Sequence, residues 1–576
     1  MRAVEEERDR GGRFAGIDDG RADLVAWEAE QPDNAYAADR HFREVLALHA
    51  GDALATLEAD LLPFGAAVAG ELDALVRENN LHVNLPRLER HDGVGVAREQ
   101  VIHHPAYHLA GEGIYGAGLI AALAEEPVWL GALARFYVSS TLGEAGHNCP
   151  VACTAGLVRV LQQLAPEPLQ QRYLPGLLDR DYDRHLEGAQ FLTEVQGGSD
   201  VGANACIAEP AGDARYRLSG EKWFCSNIDA DLFLMTARRD AADSGTRGLG
   251  LFLVPRHLDD GRPNGFAVRR LKDKLGTRSM ASGEVDFDGA LGWHMGPLDA
   301  GFKNMMRLVI HTSRLYNAVG CCGLARRAYV TARGYARRRR AFGHTIADYP
   351  LVQETLAGIK AECDAMVSAS FHIAALQDRL EAGRASEQEQ DFLRLAVNLN
   401  KVRSAKSARW AVVEGIEVLG GNGAIETFSV LPRLLRDAIV YENWEGTHNT
   451  LLMQMWRDMH KARLQQGFGE HLAGLLAGSG GQRAERLGGW LAAARADLDR
   501  VLQLDQRAGP VALRPLLDRL SYLMYAIVRQ HELDRLAEPD PASAASLDLL
   551  LAERLAAAPE RDPAHLDRIQ QIAESL

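Results

Sequence analysis

A chain of 576 residues is too long for one hydrophobic core, since single cores stop growing at about 250 to 300 residues, so three or four domains are expected. With 47% hydrophobic and 25% charged residues and no tract of Gln, Ser or Pro, the composition fits a protein that folds throughout. The net charge of −14 argues against broad attraction to nucleic acid or anionic lipid, and no apolar run of about 18 residues offers a transmembrane helix.

Residues 1–40 are polar and aperiodic and read as a leader, with acidic residues where a secretory presequence would carry positive charge. From 41 to 189 apolar residues recur at three- and four-residue spacing, as in Phe42, Val45, Leu46 and Leu48, which predicts an N-terminal helical domain. Between 190 and 300 the pattern changes to short apolar runs separated by Gly, Asp and Pro, such as Leu249 to Val254, and predicts a middle β-barrel or sandwich. Helical spacing returns over 301–462 in long segments suited to an antiparallel four-helix bundle. Residues 463–576 read as a C-terminal helical extension. The seven cysteines (149, 153, 206, 225, 321, 322 and 363) lack the spacing of a zinc site or a disulfide framework, so no metal is expected and they read as reduced cytoplasmic thiols.

Five segments could carry chemistry. Thr193-Glu194-Val195-Gln196-Gly197-Gly198-Ser199-Asp200 lies at the switch from helix to strand, where hydroxyls and glycines let backbone N–H groups face a ligand; alone it also reads as a plain turn. Lys222-Trp223-Phe224-Cys225-Ser226 offers aromatics and a hydroxyl, but adjacent residues on a strand point to opposite faces, so only one of the two rings can meet a given ligand. Arg337-Arg338-Arg339-Arg340-Ala341-Phe342-Gly343 could bind phosphate, or could simply be a solvated helix end. Gly420-Gly421-Asn422-Gly423 and Trp444-Glu445-Gly446-Thr447-His448-Asn449 resemble tight turns beside helices.

In this order and spacing the segments resemble the acyl-CoA dehydrogenase superfamily of FAD enzymes, over about residues 41 to 457. Thr193 to Val201, Lys222 to Ser226 and Leu271 to Ser279 look most like its AidB-like, alkylation-response branch. The resemblance implies FAD as cofactor and an acyl-CoA as substrate, with Glu445 removing the α-proton and a β-hydride passing to the flavin. It places Arg314 near that base, and Thr193, Gly198, Ser199, Phe224 and Ser226 against the ring system or thioester. Arg339 and Phe342 match a segment that reaches the FAD of a neighbouring subunit, while Gly420, Gly421, Thr447 and Asn449 match further FAD contacts. A shared site implies a homo-oligomer, dimer or tetramer, and an electron-transferring flavoprotein is the expected electron acceptor in fatty acid metabolism.

Two other readings share the fold. One is a DNA-associated protective flavoprotein; residues 463–576 hold 13 Arg, no Lys and 16 Asp or Glu, and phosphate binding favours a positive excess, so nucleic acid is not the expected partner. The other is an acyl-CoA oxidase or slow acyl binder.

Overall fold

The structure, a computed structural model, describes residues 15–239, 245–556 and 564–575. It begins with α1 (Ala15–Ala26), α2 (Arg40–Ala50), α3 (Leu54–Ala69) and α4 (Glu71–Asn79), then a hairpin of β1 (Arg87–His91) and β2 (Ala97–Ile102). Helices α5 (Pro105–Gly116), α6 (Val128–Ser140), α7 (Ala145–Leu164) and α8 (Glu167–Leu177) follow. Two features differ from the sequence reading. Within the polar leader, Trp27 and Tyr36 are buried in the main core, because a single large aromatic can anchor a segment that has no periodicity. The hairpin interrupts the helical region, and its inward residues Leu88 and Val101 pack on the neighbouring β core rather than on helices.

Strands β3 (Gly188–Phe191), β4 (Ile207–Gly212), β5 (Arg215–Ser226), β6 (Leu232–Arg238), β7 (Leu249–Pro255), β8 (Phe266–Leu271) and β9 (Ser282–His294) form one sheet. Its order is β3-β6-β4-β5-β9-β7, and β7 pairs back onto β6, which closes the sheet into a barrel-like ring with β8 added along β9. The continuous apolar runs of β6 and β7 have a simple cause. Alternate residues serve two cores: Leu232, Leu234, Leu251 and Leu253 pack on the helices, whereas Phe233, Met235, Phe252 and Val254 fill the ring.

The chain then enters α9 (Gly301–Asn304), a π-helical turn at Met305–Ile310, and α10 (His311–Arg338). A hairpin of β10 (Arg340–Ala341) and β11 (His344–Thr345) leads to α11 (Pro350–Glu381) and α12 (Glu387–Leu419). Helix α12 starts at a capping box in which Ser386 and Glu389 exchange side-chain and backbone bonds. Next come α13 (Leu431–Asn443) and α14 (His448–Ala462), then α15 (Leu464–Leu476), α16 (Gly481–Val501), α17 (Ala508–Arg535), α18 (Pro541–Arg554) and α19 (Ala564–Glu574). The C-terminal helices do not form a separate core, since Leu520, Leu523, Met524 and Ile527 of α17 belong to the same apolar cluster as α10 to α12. Among the described residues no single helix is long and apolar enough to cross a membrane.

Candidate active site

A cavity of about 740 Å³ lies where α7, the mouth of the β ring, the π-turn, α10 and the 444–447 loop meet. Thr193, Gly198, Ser199, Phe224, Ser226, Arg314, Glu445 and Thr447 all line it. The fold thus joins segments that are up to 254 positions apart in the chain.

Glu445 stands in the short link between α13 and α14, with φ of +59°, and Gly446 follows at +105°. A non-glycine residue in this left-handed region stores strain of about 1 to 3 kcal/mol, so the surroundings must hold it there. Arg314 does so from α10: its Nε donates to the Glu445 carbonyl at 3.1 Å and its Nη1 to Asn398 Oδ1 at 2.8 Å. Lys401 of α12 donates to the carbonyls of Glu442 at 2.9 Å and Gly446 at 3.0 Å. The N–H of Glu445 bonds to no protein acceptor among the described residues, whereas the Gly446 N–H closes the turn over Trp444 and Glu445.

The Glu445 carboxylate is half-buried and borders the cavity. Gln190 Nε2 donates to its Oε1 at 3.2 Å and also bonds Ser313, while Oε2 has no donor among the described residues. Desolvation pushes its pKa up to about 7, against the opposing pull of the Arg314 and Lys401 cations. Burial lowers Arg314 to about 10, with Glu445 counteracting. One carboxylate held near neutrality between two buried cations can exchange a proton at physiological pH.

On the facing wall the Gly198 Cα approaches Thr193 closely enough that an added Cβ would lie 3.0 Å from its hydroxyl. Ser199 Oγ meets Thr450 Oγ1 at 3.3 Å, and Thr447 caps α14 through the Thr450 N–H. Glu194, inside the same motif, turns away from the cavity to the buried Lys222 ammonium at 2.7 Å and to the backbone N–H of Ala205. Burial alone would raise its pKa, but these partners hold it below the usual carboxylate range. The choice between the two adjacent rings is also clear: Phe224 lines the cavity, whereas Lys272 sits 3.6 Å from the Trp223 ring centre.

Five expected residues are not in this cavity. Arg339 and Phe342 belong to the β10–β11 hairpin, where Phe342 is 96% exposed at the turn. Of the four arginines, Arg337 and Arg338 pair with Glu30 and Arg340 bonds the Gly343 carbonyl, but Arg339 makes no side-chain bond among the described residues. Gly420 and Gly421 are exposed near the same hairpin, with Asn422 bonded to Tyr335 OH at 3.1 Å. Asn449 likewise lies outside the cavity lining and accepts from Arg514 of α17 at 3.0 Å.

Several neighbours of Glu445 escaped the sequence reading. Gln190 is a polar residue between Ala189 and Phe191 on an otherwise buried strand, and Asn398 and Lys401 interrupt an apolar helix face. Buried polar positions of this kind were the available signal. Cys149 and Cys153 also face the cavity, one turn apart on α7.

Three family models match the chain: the adaptive response protein AidB N-terminal domain over residues 28–184, the acyl-CoA dehydrogenase middle domain over 189–290 and the acyl-CoA dehydrogenase C-terminal domain over 299–460. The putative acyl-CoA dehydrogenase AidB of Escherichia coli is 35% identical over 70% of this chain and 74% of its own length. Acyl-CoA dehydrogenase family member 11 of Caenorhabditis elegans is 35% identical over 73% of this chain and 69% of its own. Among solved structures, Caenorhabditis elegans ACDH-11 in complex with C11-CoA superposes with a TM-score of 0.81 at 28% identity, covering 94% of this chain and 91% of that one. The apo form of Bd2924 gives 0.80 at 28%, covering 87% and 98%.

Proposed function

Because the chain belongs to the acyl-CoA dehydrogenase family, with an AidB-type N-terminal domain, we propose that it is an FAD-dependent enzyme that desaturates an acyl-CoA between Cα and Cβ, with Glu445 as its base. The observation that carries this reading is the Glu445 carboxylate, poised near neutrality at a cavity wall, with its own backbone N–H bonded to no acceptor among the described residues. The residues present suit the cofactor. Phe224 gives the cavity a flat apolar face, the Gly198 backbone closes on Thr193 where any Cβ would intrude, and the hydroxyls of Thr193 and Ser226 supply edge partners. Bound FAD supplies the acceptor for the β-hydride.

The chain's own part is proton chemistry and orientation. A thioester carbonyl accepting from the Glu445 N–H becomes polarised, which acidifies its α-hydrogen. Glu445 Oε2 takes that proton, while the Gln190 bond at Oε1 fixes the plane of the carboxylate. Cys149, Phe136 and Met306 border the cavity with apolar surface that limits water beside the base.

The exposed hairpin bearing Arg339 and Phe342, outside its own chain's cavity, supports a homo-oligomer in which it serves the FAD of a neighbouring subunit. Electrons would leave to an electron-transferring flavoprotein, as the family relation supports. Seven free cysteines, all buried, fit a cytoplasmic setting.

The test is an anaerobic titration of the yellow protein with butanoyl-, octanoyl-, palmitoyl- and branched-chain acyl-CoA. Bleaching of the flavin by one of them, lost in Glu445→Gln with FAD retained, is the expected result. Undiminished bleaching in Glu445→Gln removes Glu445 as the base.

A further inference from the structure

The link that carries Glu445 is held from beneath by a residue that never meets the cavity. Lys401 is fully buried on α12 and does not line the cavity. Its ammonium bonds the carbonyl of Glu442, in the last turn of α13, and the carbonyl of Gly446, just before the Thr447 cap of α14. One side chain therefore ties the two ends of a strained turn that contains Glu445. Resting on the assignment of Glu445 as base, we propose that Lys401 is a positioning residue for the reaction, fixing the left-handed turn at Glu445 and biasing its carboxylate toward the charged form.

The bonding is unusual for a buried lysine, because its hydrogen-bond partners are carbonyl oxygens and not a carboxylate. An ammonium taken out of water costs several kcal/mol unless neighbours compensate, so a buried lysine kept only to cap two carbonyls is an expensive fastening. A neutral donor could bond the same oxygens. The charge acquires a purpose when Glu445 is counted, since each of the two groups favours the ionised form of the other. Burial lowers the Lys401 pKa to about 8, so it is still largely protonated at neutral pH.

The groups that face this pair come from every side of the site. Helix α10 brings Arg314 and Cys321, α12 brings Asn398 and Ser404, the end of α13 brings Glu442 (itself paired with Arg409 and His448), and α7 brings Cys153. Arg314 pins the Glu445 carbonyl between the two carbonyls held by Lys401. The two cations divide the work: Arg314 borders the cavity, and Lys401 acts only through the backbone and the field.

Lys401→Met and Lys401→Arg, as FAD-loaded proteins, test this. With the acyl-CoA that bleaches the native flavin fastest, Lys401→Met should move the pH of half-maximal bleaching up by about one unit and slow bleaching at pH 7 by about fivefold, with a smaller change in the concentration for half saturation. Lys401→Arg should restore the pH midpoint. Independently of any substrate, amide hydrogen exchange over residues 443–449 should speed up at least tenfold in Lys401→Met and return toward native in Lys401→Arg. An unmoved pH midpoint with native exchange overturns the proposal, and so does an equal loss in both variants, which would mark a purely structural lysine. If no acyl-CoA bleaches the native protein, the function fails; the exchange result still decides the positioning role.

Discussion

Gln190 on β3 and Glu445 in the α13–α14 link are 255 positions apart and share a hydrogen bond of 3.2 Å, in which the amide Nε2 donates to Oε1. Such a bond favours the charged carboxylate and fixes its rotation. Gln190→Leu should therefore keep FAD and fold yet slow flavin bleaching at pH 7 by about tenfold, in line with about 1.5 to 3 kcal/mol for a bond to a charged group. Stopped-flow absorbance of the two proteins side by side checks this.

The raised pKa of Glu445, about 7, sets a pH dependence. The base works as carboxylate, so bleaching should rise with pH through about 7 and then level off. Stability should move the other way. An acid whose pKa is raised on folding costs nothing below its unfolded value near 4.5 and has its full cost above the folded value. Glu445→Gln should accordingly melt higher than the native protein at pH 8, with the difference shrinking toward pH 5; melting curves at both pH values decide it.

Lys222 and Glu194 are both buried, and neither lines the cavity. Lys222→Met leaves the Glu194 charge uncompensated, which costs about 3 to 5 kcal/mol when one partner of a buried pair is removed. Denaturant unfolding should show that loss, and adding Glu194→Gln should recover part of it.

Gly320 on α10 lies under the Tyr441 ring, and a Cβ there would come within 2.7 Å of its edge. Tyr441 in turn meets the Trp444 ring in a tilted contact at 4.9 Å, next to Glu445. Gly320→Ala should thus displace the link that carries Glu445 and lower the bleaching rate far more than the same change at the uncrowded Gly474, measured alongside as a control.

What the sequence disclosed depended on whether a signal was local. Glu445, Thr193 and Ser226 sit in short strings with a recognisable order, and the change from helical spacing to short apolar runs falls close to Gly188, where β3 begins. Gln190, Asn398 and Lys401 contribute through contacts made only after four elements converge, and single polar residues in apolar runs carry no record of their partner. The β1–β2 hairpin was hidden for a related reason: only Leu88 and Val101 of its residues reach a core, too few to show a period. Asn449 shows the converse, a motif position whose side chain is also directed by Arg514, from a helix that begins some sixty residues later.

The π-helical turn at Met305–Ile310 spends one more residue per turn than an α-helix and contributes Met306 and Ile310 to the cavity. Removing a single residue there would not shorten a loop. It would return the turn to α geometry with the segments on either side in nearly the same rotation, and would change which side chains of the turn, Met306 and Ile310 among them, reach the cavity wall. A one-residue insertion or deletion between related chains at this point is therefore a discrete exchange of one pocket lining for another, a step that no series of point substitutions in the same helix would reproduce.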